Sequence, residues 1–275
     1  MFHGEYLPTP LLRPYIKNYG VLTDDRSDVN GIYEWVPPFL SKAIVFFYNN
    51  SGRIFVENGV YDDYLPLGYV LPQVKKSNLW SYKHGFSSFA IIFHPGKFRY
   101  FFQVPMLEFL NKVIAVDEFG EEDLIELHKK IEDSISTQQR VDHCDDCFLK
   151  RLRGVENSRD LIDVTLSKML ATPKLSITEI RKDLNVNISE RHFRRRFQEE
   201  IGMNPKGYQK QLRFLRALDS LQSGQFTSIA DVAYACGYYD QSQFNLHFKE
   251  YLQVSPLQYL HKHFPITQSI YWRED

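Results

Sequence analysis

Apolar and polar positions divide the chain into a β-rich first part and a helical second part. From about residue 15 to residue 105, short apolar runs are separated by Gly, Pro and Ser, a pattern typical of antiparallel strands in a sandwich or barrel. The turn-forming residues 49–52 lie between two such runs and predict a β-hairpin. The runs that predict strands are 41–48, 53–56, 68–71, 79–82 and 89–94.

After residue 96, apolar residues recur at spacings of three and four, which predicts helices. The predicted helices cover residues 97–103, 121–136, 137–153 and 161–170. The helix over 121–136 is amphipathic, and its apolar face either packs on the protein's own sheet or forms a dimer surface. We place a domain boundary near 154–160, between an N-terminal domain of residues 1–155 and a C-terminal domain of residues 156–275.

The C-terminal part contains an imperfect repeat. The segment from Phe193 to Tyr208 returns 51 residues later as the segment from Phe244 to Tyr259, with Phe-xxx-Phe and Pro-xx-Tyr in both copies. Upstream the match resumes at an offset of 52 residues, so one copy has a turn longer by one residue.

Each copy opens with a capping box, in which a hydroxyl and a carboxylate satisfy free backbone N–H groups at a helix start. In the second copy, Ala233 allows two helices to approach closely and Gly237 supplies the turn between them. We therefore predict helix–turn–helix units at about 176–198 and 228–250, joined by a helix over 205–222. The capping boxes are Ser176-x-x-Glu179 and Ser228-x-x-Asp231.

Charge is unevenly distributed, although the net charge is only −1. Residues 174–262 contain 13 Lys and Arg against nine Asp and Glu, which leaves −5 for the rest of the chain. Between residues 189 and 216, eight basic side chains occur with only three acidic ones, a high density for a merely solvated surface. The eight are Arg191, Arg194, Arg195, Arg196, Lys206, Lys210, Arg213 and Arg216.

Composition excludes several protein classes. With 43% hydrophobic and 24% charged residues the chain is neither disordered nor fibrous, and no secretory signal or membrane-spanning run is visible, so we expect a cytoplasmic protein.

His143-Cys144-x-x-Cys147 is half a zinc site without a second ligand pair, and an i, i+3 helical pair is the favoured interpretation. No phosphate-binding Gly-rich loop or Gly-x-Ser-x-Gly occurs, so we predict no catalytic residue, metal or cofactor.

Residues from about 158 to 262 resemble the DNA-binding domain of the AraC/XylS family of transcription regulators. The matching pieces are Ser189-xxx-Phe193-x-Arg195-x-Phe197 with Pro205-xx-Tyr208, the linker Leu212-Arg213-xx-Arg216-Ala217, and Ala233-xxx-Gly237 with Phe244-xxx-Phe248 and Pro256-xx-Tyr259. The resemblance implies two recognition helices that enter successive major-groove turns of double-stranded DNA, over 189–197 and from 240 to about 248. The residues that it predicts to bind DNA are Arg191, Arg194, Arg195, Lys206, Gln241, Ser242, Gln243 and Asn245.

The chain departs from the family pattern at several positions. Arg181 stands where a small alanine is preferred, Leu246 where an arginine is common, and Gln253 where a glycine is usual. We therefore expect looser helix packing in the first unit, a smaller phosphate-binding role for the second, and unequal parts in recognition. One alternative is a ligand- or protein-binding regulator that has lost its affinity for DNA, and a second is an enzyme with a regulatory tail.

The N-terminal part resembles an uncharacterised sensor-like domain found ahead of such DNA-binding domains, through Tyr6-x-Pro8, Tyr15-Ile16-xx-Tyr19 and Phe93-His94-Pro95-Gly96-x-Phe98. Its aromatic residues either line an effector pocket or form the core of the sheet. They are Tyr33, Trp35, Tyr48, Tyr69, Trp80 and Tyr82. The whole chain is thus predicted as an α+β two-domain protein. Its expected partners are DNA, RNA polymerase, an unidentified small-molecule effector and a second copy of the chain.

Overall fold

A computed structural model describes residues 2–24, 32–49, 52–55, 62–82, 84–152 and 160–261 of the 275-residue chain. An antiparallel β-rich domain with following helices precedes an all-helical domain, so the predicted α+β two-domain fold is confirmed. The boundary predicted near 154–160 falls almost wholly on residues 153–159, which lie outside the described residues.

Ten described strands form two antiparallel sheets. The larger sheet has the order β1-β2-β9-β4-β7-β10 and the smaller one has the order β3-β8-β5-β6. The strands are β1 Phe2–Tyr6, β2 Ile16–Thr23, β3 Ile32–Val36, β4 Ala43–Asn49, β5 Gly52–Phe55, β6 Asp62–Tyr64, β7 Gly68–Val70, β8 Asn78–Tyr82, β9 Ser87–Phe93 and β10 Ile114–Ala115.

The predicted hairpin between residues 41–48 and 53–56 is wrong. β4 pairs with β7 and β9 in the larger sheet, whereas β5 pairs with β6 and β8 in the smaller one. Side chains on both faces of β4 are buried, which suits a strand inside a sheet that is covered on both sides. The turn residues allow a reversal there, but burial of both faces decides which strands flank β4. Asn50 and Ser51 themselves lie outside the described residues.

Helices α1 (Glu122–Asp133) and α2 (Thr137–Leu152) cover the larger sheet. Leu124, Leu127 and Ile131 of α1 are buried in the same cluster as residues of β4 and β9. The apolar face of the predicted helix 121–136 therefore packs on the protein's own sheet. The segment predicted as a helix over 97–103 is a single 3₁₀ turn, Phe98–Tyr100, because its phenylalanines fold back into this core.

The aromatic residues of the sheets form core rather than an open pocket. Tyr69, Trp80 and Tyr82 are buried beside Phe47 and Phe86, within stacking or edge-on distance of one another. Trp35 and Tyr48 are partly buried, and the side chain of Tyr33 lies outside what the structure describes. The core interpretation is thus confirmed for the three buried rings.

The C-terminal domain consists of seven described helices around one apolar cluster. The helices are α3 Leu161–Ala171, α4 Ile177–Asp183, α5 Glu190–Ile201, α6 Pro205–Ser223, α7 Ile229–Ala235, α8 Gln241–Leu252 and α9 Pro256–His261. None of the helices in the described part of the chain is long and apolar enough to cross a membrane.

Candidate nucleic-acid interface

Both predicted helix–turn–helix units are present, as α4–α5 and α7–α8, joined by the long helix α6. In the first unit the capping box is complete: Ser176 N donates to Glu179 Oε2 at 2.7 Å, and Glu179 N donates to Ser176 Oγ at 3.2 Å. In the second unit Ser228 Oγ accepts from Asp231 N, but within the described part of the chain the Asp231 carboxylate accepts from the Ser228 hydroxyl and not from the Ser228 backbone N–H. Aspartate is one methylene shorter than glutamate, which prevents the return bond to the backbone.

The two turns differ in length as the sequence offset predicts. Residues 184–189 separate α4 from α5, whereas residues 236–240 separate α7 from α8. The second residue of each turn has the left-handed conformation, Asn185 at φ 49° and Gly237 at φ 84°. Asparagine and glycine are the residues that tolerate this conformation best. The additional residue of the first turn therefore lies after a reversal that the two units share.

Arg181 stabilises the longer turn. Its Nη2 donates to the carbonyl oxygen of Ile188 at 2.7 Å, and its guanidinium lies 5.3 Å from the centroid of the Phe193 ring. The Arg181 side chain thus joins the end of the turn to α5. The sequence predicts looser packing around Arg181 and gives no sign of its contacts with Ile188 and Phe193.

The repeated phenylalanines anchor both recognition helices. Phe193 and Phe197 on α5, and Phe244 and Phe248 on α8, are fully buried in the helical core. Because a helix turns about 100° per residue, the buried pair at i and i+4 fixes which neighbours face outward. The direction of each recognition helix is therefore set by its core contacts.

Three arginines extend outward from α5. Arg194 pairs with Glu190 and Arg195 Nε lies 3.8 Å from Glu199 Oε1, both on the exposed surface of the helix. Arg191 is exposed and forms no ion pair with another described residue. Exposed pairs of this kind contribute little to stability and are screened by salt, so these guanidiniums remain available to another anion.

The remaining five of the eight basic residues between 189 and 216 differ in exposure and in their partners. Lys206 is exposed near the start of α6. Arg196 contacts Asp160 and Glu200, Lys210 Nζ lies 2.7 Å from Glu250 Oε2, and Arg213 and Arg216 donate to backbone carbonyl oxygens. Half of the eight basic residues therefore make contacts within the protein. The number of basic residues in this segment is thus larger than the number available to bind a polyanion.

On α8 the predicted residues have different surroundings. Gln241 and Ser242 are exposed and Asn245 is half-buried. Gln243 Oε1 accepts from Tyr239 N at 3.2 Å and its own N–H donates to Asp240, so Gln243 helps to cap the helix. The same helix exposes Leu246, which in the sequence is visible only as a departure from the family pattern.

A charged cluster joins the two domains next to α5. We call it the interdomain cluster; it consists of Lys97, Arg99, Tyr100, Asp160, Asp163, Arg196 and Glu200. Arg99 Nη1 lies 2.8 Å from Asp160 Oδ2, Arg99 Nη2 lies 3.0 Å from Asp163 Oδ1, and Arg99 also pairs with Glu200. Lys97 Nζ lies 2.8 Å from Asp163 Oδ2, and the Tyr100 hydroxyl donates to the same carboxylate.

The two domains also approach each other closely at the backbone of Gly96. Gly96 has φ +75°, and a Cβ built on it would meet Leu166 Cδ1 at 2.5 Å and Ile201 Cδ1 at 3.2 Å. Leu40 of the β domain belongs to the helical core cluster. The N-terminal half of α3 and the C-terminal end of α5 are thus docked on the N-terminal domain through both apolar and charged contacts.

The Asp163 carboxyl is kept ionised at this interface. Its partial burial would raise its pKa, but hydrogen bonds from Lys97 and Tyr100 and the nearby Arg99 outweigh burial and lower the pKa below its ordinary value. The ionised form is therefore the one that the docked domains stabilise.

The His143–Cys147 motif shows no metal-site geometry. Cys144 is buried in the core of the N-terminal domain. Burial and the nearby Asp123 raise the pKa of the Cys147 thiol to about 11. Among the described residues, no group of three or more His, Cys, Asp or Glu side chains is placed to hold a metal ion.

Comparison with known proteins agrees with these observations. A family model described as a helix-turn-helix domain matches residues 185–262, and one described as a domain of unknown function, DUF6597, matches residues 4–115. The HTH-type transcriptional activator RhaR of Pectobacterium atrosepticum is 37% identical over 73 residues, 26% of this chain and 25% of RhaR. The same protein of Pectobacterium carotovorum is 36% identical over 73 residues, so the chain spans about a quarter of the curated relatives that it matches.

The fold has a solved counterpart. The crystal structure of ToxT from Vibrio cholerae O395 is similar over 89% of this chain and 98% of that chain, with a TM-score of 0.50 and 13% identity. At that identity the likeness concerns the fold alone. The repeat, its linker helix and the matching domain model nevertheless agree with one another, and together they support an AraC/XylS-type regulator with an N-terminal domain of unknown function.

Proposed function

We propose that the protein is a sequence-specific DNA-binding transcription regulator in which α5 and α8 enter successive major-groove turns. The observation that supports this most strongly is the outward row of Arg191, Arg194 and Arg195 on α5, with Phe193 and Phe197 of the same helix buried. A helix held in this way presents its charge to a groove without losing its own packing.

The linker helix supports the same proposal. α6 contains 19 residues, and at 1.5 Å per residue it is about 28 Å long. Successive major-groove turns on one face of B-DNA are about 34 Å apart. A rigid linker of that length suits two recognition helices placed on one face of the duplex.

Each exposed side chain is assigned a chemical role in this proposal. Arg191, Arg194 and Arg195 bind guanine edges or phosphates, and Lys206 binds a phosphate. On α8, Gln241, Ser242 and Asn245 offer amide and hydroxyl groups to base edges. The carbonyl oxygen of Gln243 caps the helix, so only the amide nitrogen of that side chain remains for a base.

We further propose that the N-terminal domain controls DNA binding through the interdomain cluster. Arg196 and Glu200 lie on α5, the helix that carries the DNA-facing arginines. A small-molecule effector, RNA polymerase or a second copy of the chain bound to the N-terminal domain would act on α5 through these contacts. The proposed domains are residues 1–155 and 156–275, and such a regulator acts in the cytoplasm, where it meets the genome.

A salt titration of DNA affinity tests the proposal. Full-length protein is titrated into labelled duplexes drawn from the region upstream of its own gene, at several salt concentrations. Binding should weaken steeply with salt because each contacted phosphate releases counterions. Arg191→Ala should reduce the slope of log K against log salt by about one. Lys112→Ala, at an exposed residue of the other domain, is the control and should leave the slope unchanged.

Absence of binding at low salt, or binding that salt does not affect, would contradict the proposal. Absence of binding would favour the rival function, a ligand- or protein-binding regulator without DNA affinity.

A further inference from the structure

The internal repeat allows the two recognition helices to be compared position by position. At the offset of 51 residues, Arg195 corresponds to Leu246. Both residues stand six positions after the N-cap of their helix, Ser189 or Asp240. The Arg195 side chain is 69% exposed and Leu246 is 70% exposed. The same outward position therefore carries a cation in one unit and an aliphatic group in the other.

The neighbouring positions differ in the same way. Arg191 corresponds to Ser242 and Arg194 corresponds to Asn245. The outward face of α5 is thus built from guanidiniums, and that of α8 from a hydroxyl, an amide and an aliphatic side chain.

An exposed leucine alone carries little information, because folded proteins expose many apolar atoms. The position of Leu246 on α8 is what suggests that it contacts a bound partner. Phe244 and Phe248 on either side are fully buried and fix the orientation of α8, so Leu246 is directed to the surface that the helix offers to a groove. A bound surface that covers Leu246 should therefore offer an apolar group at that point.

The major groove offers one such group, the C5-methyl of thymine, which apolar side chains contact. The adenine of the same base pair presents N7 and N6, the atoms that asparagine recognises with two hydrogen bonds. Arginine instead makes two bonds to O6 and N7 of guanine. The residues of α8 are therefore complementary to A·T pairs and those of α5 to G·C pairs.

We propose that the operator has two chemically different halves, with guanine-containing pairs under α5 and A·T pairs under α8. In the second half Asn245 contacts adenine and Leu246 packs on a thymine methyl. This inference rests on the proposed function, since it concerns the DNA that the same two helices bind.

The test starts with selection of duplexes from a random library by the full-length protein. One half of the recovered site should be enriched in guanine and the other in A·T pairs. Arg195→Ala should relax the selection in the first half only, and Leu246→Ala in the second half only. Both residues are exposed, so these variants should fold. Leu257→Ala, at an exposed leucine of α9, is the control and should leave both halves unchanged.

Replacement of thymine by uracil then isolates the methyl group. A uracil at the contacted position removes one methyl and should weaken binding of the wild-type protein roughly fourfold, the value of one buried carbon. The Leu246→Ala protein should bind the thymine and uracil duplexes equally. Leu246→Arg should shift the second half of the selected site toward guanine.

The outcomes separate the two proposals. Specific DNA binding with G·C pairs selected under both helices, or with no response to uracil at any position, would overturn this inference and leave the proposed function standing. Failure to recover any sequence from the library would overturn the proposed function itself.

Discussion

Arg99 of the N-terminal domain and Arg196 of helix α5 share the carboxylate of Asp160. Arg99 Nη1 lies 2.8 Å from Oδ2, and Arg196 Nη2 lies 2.5 Å from Oδ1. One carboxylate therefore connects the β domain to the helix that carries the three outward arginines. The same carboxylate accepts from Ile162 N and caps α3.

Removal of the Arg99 side chain should weaken the connection between the N-terminal domain and α5. Arg99→Ala leaves Asp160, Asp163 and Glu200 with fewer cationic partners in a partly buried site, and should lower the free energy of unfolding by about 2 kcal/mol. It should also change DNA affinity, measured by anisotropy with full-length protein. Arg151→Ala is the matched control, because Arg151 pairs with Glu121 and Asp123 inside the N-terminal domain. We expect that control to lose stability without a change in DNA affinity, and equal DNA affinities for Arg99→Ala and wild type would contradict the coupling.

Arg195 and Arg196 are adjacent in sequence and should respond differently to substitution. Arg195→Ala should weaken specific DNA binding by about 1–3 kcal/mol if the guanidinium contacts a base. Its thermal stability should remain within about 0.5 kcal/mol of wild type, as for most exposed positions. Arg196→Ala should instead lose stability, because Asp160 and Glu200 lose a partner. Unchanged DNA affinity of Arg195→Ala would assign this arginine to the solvated surface.

The lowered pKa of Asp163 predicts how the docked domains respond to acid. A carboxyl whose pKa is lower in the folded state stabilises that state above its ordinary pKa of 3.8, and the contribution is lost as the pH falls through the folded value. Asp163→Asn should therefore be less stable than wild type at pH 7, and the difference should shrink below about pH 4. Urea unfolding of both proteins at pH 7 and pH 3.5 measures this. A stability difference of the same size at both pH values would show that the charge of Asp163 does not cause it.

Gln253 occupies a left-handed conformation with φ 58° at the end of α8, where its repeat counterpart is Gly202. Gln253→Gly should raise the free energy of unfolding by about 0.5–1 kcal/mol, because relief of the left-handed strain exceeds the entropy that glycine adds to the unfolded chain. Gln225→Gly serves as the control, since Gln225 is exposed and is not among the residues with positive φ. We expect that variant to be destabilised, and destabilisation of Gln253→Gly as well would contradict the strain argument.

Much of the helical domain is predictable from local signals. The capping boxes at Ser176 and Ser228 and the apolar spacing predicted where both units begin to within a few residues. These signals act within one or two turns of chain, so a sequence displays them directly. The β domain was less predictable because strand partners are chosen by burial of both faces, as for β4, and not by the nearest turn.

The interdomain cluster had no visible signal in the sequence. Arg99 is 61 residues from Asp160 and 101 residues from Glu200, and nothing in a single chain relates them. The direction of the neighbouring arginines did have a signal, because the resemblance implies a DNA-facing Arg195 and leaves Arg196 out. Arg195 and Arg196 differ by one residue, which is a rotation of about 100° on a helix, and only the packed core decides which of them meets solvent.

The docking of α5 at one end has a mechanical consequence. The helix contains 12 residues, with Glu200 near its C-terminal end and Arg191 near its start. Such a helix is a stiff rod of about 18 Å. A tilt of about 5° at the docked end would move the far end by about 1.6 Å, enough to take a hydrogen bond outside its range of about 2.7–3.2 Å. A small adjustment within the β domain would thus be converted into gain or loss of base contacts, with no need for either domain to change its fold.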